Sequence, residues 1–215
     1  MAHPAQFHPN ILAAIKPHLA ELDGLIFDPF AGTGIRLGQI CDELGKPFKG
    51  IDIENWPDHD PRVIVGDASN IESYPNKPFT VVTSPTYPNG ISDHFKPSDK
   101  SKRFTYRTAL GQPLQENNTG RYSVRGGKKQ MGKYWLICYD AVYNWVKNDA
   151  NVFVNVKNFY HQSEIVDLVH MWKNTLSAHG YLIDEVLEVE CPGIRFGANS
   201  KSRVDHETII IGHLN

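Results

Sequence analysis

The stretch Asp28-Pro29-Phe30-Ala31-Gly32-Thr33-Gly34 constrains this chain more than any other feature. It follows the short apolar run 24–27, which reads as a buried strand, and it precedes residues 35–44, which read as a helix. Strand, glycine turn and helix in succession belong to doubly wound α/β sheets, which bind ligands at the carboxyl ends of their strands. Gly32 and Gly34 let the backbone turn sharply and approach a ligand closely. A dinucleotide would set its pyrophosphate here and ask for glycines in the pattern G-x-G-x-x-G. Leu37 stands where the third glycine should be, and Asp28 would face the phosphates. Unit charges ~4 Å apart interact by about 4 kcal/mol at an effective dielectric of 20, so like charges there are strongly disfavoured. The carboxylate suits a ligand with a cationic amino-acid end.

The rest of the chain repeats the alternation. Residues 10–22 carry Ile11, Leu12, Ile15 and Leu19 at helical spacing, with Pro9 suited to the first turn and Pro17 expected to kink or end the helix early. Strands are expected at 48–53, 63–65, 79–83, 152–156, 181–189 and 207–211, with helices at 134–146 and 164–176. The last two strands leave no room for a helix between them, so one should run antiparallel. The expectation is a single α/β domain over residues 1–215, its seven-stranded, mostly parallel sheet covered by helices on both faces. Residues 88–132 fit no regular element and form a basic insertion; structureless stretches of that length are usually binding loops, lids or disordered segments.

Acidic residues recur where the strands end. Asp52 and Glu54 close the second strand about 20 residues beyond the turn, where such folds place a carboxylate on ribose hydroxyls. Asp67 closes the third and could receive the exocyclic amino group of an adenine. Strand-end carboxylates taken singly are often just solvated, but four in order are hard to dismiss. S-adenosylmethionine has a cationic amino-acid end, a ribose and an adenine, and suits such a row.

The fourth strand ends in Ser84-Pro85-Thr86-Tyr87. Here the sequence resembles the S-adenosylmethionine-dependent DNA amino-methyltransferases, whose fourth strand ends in Asp, Asn or Ser, then Pro-Pro, then an aromatic residue. Residues 28–34 resemble that family's cofactor loop, and His3-Pro4-Ala5-Gln6-Phe7-His8-Pro9 is similar to the segment that closes over the methionine end of the cofactor. The resemblance spans roughly residues 3–90 in motif order. It implies a Rossmann-like class I methyltransferase of bacterial or phage type, in restriction-modification or related roles, with S-adenosylmethionine held by Phe7, Asp28, Pro29, Phe30, Gly32, Gly34, Asp52, Glu54 and Asp67. It also implies direct methyl transfer to an exocyclic amino nitrogen. That nitrogen is a poor nucleophile because its lone pair is delocalised, so acceptors on its N–H groups favour the charge developing in the transition state. By position, Ser84 and the Pro85 carbonyl would supply them, with Tyr87 stacking on the base. Serine at this place leans towards cytosine N4 over adenine N6. Thr86 departs from the pattern and removes some rigidity from the turn.

Net charge is −2, so any attraction to nucleic acid must be local. The insertion supplies it. Arg103, Arg107, Arg121, Arg125, Lys128 and Lys129 can neutralise phosphates, and Tyr106 and Tyr122 can stack on bases. Following the catalytic turn directly, this segment is expected to help hold a base flipped out of DNA. Residues 195–199 and Arg203 form a second polar loop that suits either a nucleic-acid contact or a plain strand connection. The three cysteines match no metal-ligand spacing, no metal is expected, and reduced thiols fit a cytoplasmic protein. A cytosine-C5 enzyme is excluded, since no Pro-Cys nucleophile lies near the fourth strand. An RNA or protein-amide methyltransferase, and a catalytically silent fold that binds DNA or a partner protein, remain open.

Overall fold

The computed structural model describes residues 6–88, 106–192 and 204–215, with backbone only for Arg107 and Thr108. Its centre is a seven-stranded sheet in the order β3-β2-β1-β4-β5-β9-β8. The strands are β1 (Leu25–Asp28), β2 (Phe48–Asp52), β3 (Val63–Val65), β4 (Phe79–Thr83), β5 (Asn151–Val156), β8 (Tyr181–Glu190) and β9 (His206–Leu214). Neighbours from β3 to β5 pair in parallel, and β9 runs antiparallel to both β5 and β8. The one antiparallel strand inferred from the missing helix is therefore β9.

Both sheet faces are buried, so the central strands are apolar without interruption. All four residues of β1 are buried, and alternate side chains serve opposite faces. Leu25 and Phe27 join a core with Val81, Val152, Val154 and Ile210, under α4 (Gly127–Lys147) and α5 (Leu168–Ala178). Ile26 joins Val82, Phe153 and Ile209 on the other face, under α1 (Pro9–Glu21) and α2 (Ile35–Glu43). Trp145 of α4 and Trp172 of α5 stack at 6.2 Å, both fully buried. Burying a large apolar side chain stabilises a fold by about 1.5–3 kcal/mol, so this pair is a main fastening of the helical layer.

Several boundaries differ from the sequence reading. Helix α1 runs through Pro17 without ending, because Ile11, Leu12, Ile15 and Leu19 hold it to the sheet through burial. The basic insertion is less irregular than expected. It contains a short helix α3 (Tyr106–Leu110), two 3₁₀ turns at Thr119–Arg121 and Val124–Gly126, and the first turns of α4, which starts at Gly127 rather than 134. The helix expected at 164–176 begins at Leu168. Residues ahead of it form a hairpin of β6 (Phe159–His161) and β7 (Glu164–Val166), turned by Gln162 and Ser163 at positive φ. Asp167, whose carboxylate accepts from the His170 amide at 3.0 Å, caps α5 and sets its start. Among the described residues, no helix is long and apolar enough to cross a membrane.

Candidate active site

Chain order reverses between β1 and β4, and a ligand crevice opens outside the carboxyl ends of strands at such a point. A cavity of about 320 Å³ lies there. The ends of β1, β2, β3 and β4 bring Asp28, Asp52, Asp67 and Ser84 to its walls, so one pocket takes in all four strand tips.

Asp28 is 2% exposed. Its Oδ1 accepts from the Thr83 hydroxyl at 2.6 Å and the Phe30 amide at 3.0 Å, which ties the tip of β1 to the tip of β4. Burial nevertheless pushes its carboxyl up to about 7, with repulsion from Asp52 adding to the effect. A cation in the cavity would return it to the charged form. Pro29, Phe30 and Gly32 line the same wall. Gly34 faces a small adjoining recess; its φ of +64° and the Val63 side chain packed where a Cβ would sit explain the need for glycine. Phe7 lines the mouth, pinned through its carbonyl by the Arg36 guanidinium.

Asp52 is committed largely to the protein. Its carboxylate accepts from the Gly32 amide (2.8 Å), the Glu54 amide (2.9 Å) and Trp56 Nε1 (2.9 Å). A carboxylate offers about four acceptor sites, so three internal donors leave little for a ribose. Burial pushes Asp52 up to about 6. Glu54 does not line the cavity, which revises its expected contact with the cofactor. It is 2% exposed and turns away to accept from the Gln115 amide (2.7 Å) and Asn118 Nδ2 (3.0 Å), anchoring the insertion to the end of β2. Asp67 accepts from the amide and hydroxyl of Ser69 and from Asn117 Nδ2 at 2.7 Å. The Ala68 carbonyl beside it receives the Tyr74 hydroxyl and the Asn144 amide, which fixes the β3 tip against α4.

Ser84, Pro85, Thr86 and Tyr87 all line the opposite wall. Tyr87 is hydrogen-bonded to Ser84, and burial raises its phenol well above the ordinary range. Tyr106 spans the two walls. Its ring meets Trp56 edge-on at 5.6 Å while its hydroxyl bonds to Thr86, and burial pushes the phenol up to about 12.

The basic segment divides. Arg121, Arg125, Lys128 and Lys129 are exposed. Tyr122, expected to stack on a base, is instead 7% exposed in the core, its hydroxyl donating to the Glu116 carbonyl. Arg103, residues 195–199 and Arg203 lie outside the described residues, as does the side chain of Arg107. Asn117 and Asn118 bind strand-end carboxylates. Four contributors escaped the sequence reading: Thr83, Trp56, Asn155 and Glu207. Asn155 was visible as a lone amide within the apolar run Val152–Val156.

No protein-family model matches the sequence, and no curated protein matches it either. Solved structures do. The glycopeptide N-methyltransferase MtfA complexed with S-adenosyl-L-methionine superposes with a TM-score of 0.52 at 10% identity, covering 100% of both chains. TrmN from Thermus thermophilus superposes with a TM-score of 0.50 at 10% identity over 95% of this chain. This chain spans about half of TrmN, covering 48% of it. At such identities the likeness is one of fold: the chain has the Rossmann-like fold of the class I S-adenosylmethionine-dependent methyltransferases.

Proposed function

We propose that this protein transfers a methyl group from S-adenosylmethionine to an exocyclic amino nitrogen of a DNA base, cytosine N4 or adenine N6. One observation carries the reading: the carboxylate turn after β1 and the Ser-Pro-Thr-Tyr turn after β4 face one cavity and are joined by the Thr83–Asp28 hydrogen bond.

The residues present suit the cofactor. Asp28 is a buried acid with no counter-charge among the described residues, and the ammonium of the methionine end would supply one. Phe7 and Gly32, which line the cavity with Asp28, would hold that end, Asp67 and Trp56 would hold the adenosine, and Asp52 stiffens the glycine turn through the Gly32 amide. S-adenosylmethionine, when bound, supplies an electrophilic methyl group on a sulfonium. At the facing wall the Pro85 carbonyl accepts an N–H of the incoming amine, so its nitrogen gains electron density as it attacks. Tyr87 gives the base a ring to pack on. The exposed Arg121, Arg125, Lys128 and Lys129 form a basic surface on the segment that follows the catalytic turn, suited to phosphates.

Calorimetry with S-adenosylmethionine, followed by mass spectrometry of nucleosides from treated unmethylated DNA, tests the proposal. The expected product is N4-methylcytosine or N6-methyladenine. Binding with methyl transfer only to RNA or to a glutamine amide would replace DNA as the acceptor, and failure to bind would leave a silent fold.

A further inference from the structure

The acceptor wall of the cavity holds a carboxylate with no role so far. Glu207 is the second residue of β9, and because β9 is antiparallel its first residues reach the edge where the parallel strands end. It lines the cavity with Ser84, Pro85 and Tyr87, and its side chain is 17% exposed. Oε2 accepts from Asn155 Nδ2 at 2.8 Å, and Lys157 Nζ lies 3.9 Å from Oε1. Tyr87 and Cys191 also feel its charge.

Asn155 is 2% exposed, and its second amide hydrogen reaches Ser84 Oγ at 3.3 Å, while Oδ1 has no partner among the described residues. Both amide hydrogens thus serve the cavity wall, and the reversed amide would set its oxygen against a carboxylate. Ser84 is held by Asn155 and by Tyr87 together. A hydroxyl with one proton and two lone pairs then has a single function left for a ligand. Among the described residues Glu207 has one short hydrogen bond, and it carries a charge, so it is the strongest acceptor they place at this end of the cavity.

We propose that Glu207 recognises the amino group of the acceptor and takes up its proton. The inference rests on the methyl-transfer reading above. As the nitrogen lone pair forms the N–C bond, the C–S bond breaks with its electron pair left on sulfur. The nitrogen, now positive, passes one proton to Glu207 Oε1, and the resulting carboxyl returns it to water. The charge also selects the substrate class. A base with a carbonyl in place of the amine, uracil for cytosine or hypoxanthine for adenine, would set oxygen against oxygen with no proton between them.

The test compares wild type, Glu207→Gln and Glu207→Asp, with S-adenosylhomocysteine present. Binding of short single-stranded oligonucleotides that differ at one base, dC against dU and dA against deoxyinosine, is followed by fluorescence anisotropy. Wild type should prefer one amino base over its carbonyl counterpart by about tenfold or more, the scale of a hydrogen bond to a charged group. Glu207→Gln, able to donate or accept, should bring the two within about twofold, and Glu207→Asp should keep the preference. On unmethylated DNA, Glu207→Gln should lower kcat by about 100-fold, the low end for general-base catalysis, with KM little changed. An unchanged kcat in Glu207→Gln, or equal wild-type affinity for amino and carbonyl bases, overturns the assignment. Wild type that discriminates the bases yet methylates no DNA would remove the DNA-methyltransferase reading and leave Glu207 as the amine-recognising group. Methylation without discrimination would do the reverse.

Discussion

The two walls of the cavity are built differently. On the wall formed by β1, β2 and β3, the lining acids Asp52 and Asp67 hold three donors each, while Glu54, outside the cavity, holds two on Oε1 and has no partner for Oε2 among the described residues. Asp28 and Asp52 are both buried acids whose hydrogen bonds do not offset their burial, and Asp28, with two bonds against three, is raised further. The facing wall is sparser: among the described residues Asn155 Oδ1 lacks a partner, and Glu207 has one short hydrogen bond with the Lys157 ammonium 3.9 Å away. A preorganised wall suits a ligand that is always the same, and a wall with unmet polar capacity suits groups that complete it on arrival.

The sharpest way to break this contrast is at Asp28. Asp28→Asn should weaken S-adenosylmethionine about 100- to 1000-fold by calorimetry, the scale of a close opposite-charge pair at an effective dielectric of 20. Unaltered affinity would empty the first wall of its role. The same residue predicts a pH response. Its folded carboxyl holds a proton up to about 7, against an ordinary value of 3.8, so the folded state binds more protons between these values. Its contribution to stability is therefore full below about 4 and is lost as pH rises through about 7. Thermal melts of free protein should show that loss flattened in Asp28→Asn. Affinity for S-adenosylmethionine should move the opposite way, rising about tenfold per pH unit up to about 7 and levelling above it.

Smaller effects sharpen the comparison further out. Replacing Arg121, Arg125, Lys128 and Lys129 by serine should reduce the salt slope of DNA binding by about 0.9 for each phosphate no longer neutralised, with cofactor affinity unchanged. An unchanged slope would move the DNA surface elsewhere. The smallest effect is expected at Asn117→Ala, which removes one hydrogen bond to Asp67. Hydrogen bonds to charged groups contribute about 1.5–3 kcal/mol, and at this exposed amide the low end applies, giving roughly a tenfold loss of cofactor affinity at most.

Most of the first wall was legible in the sequence because its parts are local. An apolar run, a polar tip and a glycine turn occupy a dozen residues, and alternation with helices requires parallel strands whose tips share one edge. The insertion was misjudged in part for the opposite reason. Tyr122, Asn117 and Asn118 carry the residue types of a base-reading loop, but Tyr122 packs into the core and both amides bind strand-end carboxylates. Composition cannot separate a side chain that reads a ligand from one that fastens its own loop.

The sequence by itself determined the sheet, the carboxylate turn and the four strand tips, since each follows from short-range pattern and chain connectivity. Only the tertiary structure decided which carboxylates remain open to a ligand and that Glu207 joins the site. Glu207 stands 123 positions from Ser84 in the numbering, and it arrives there only because β9 runs against its neighbours and so begins where they end.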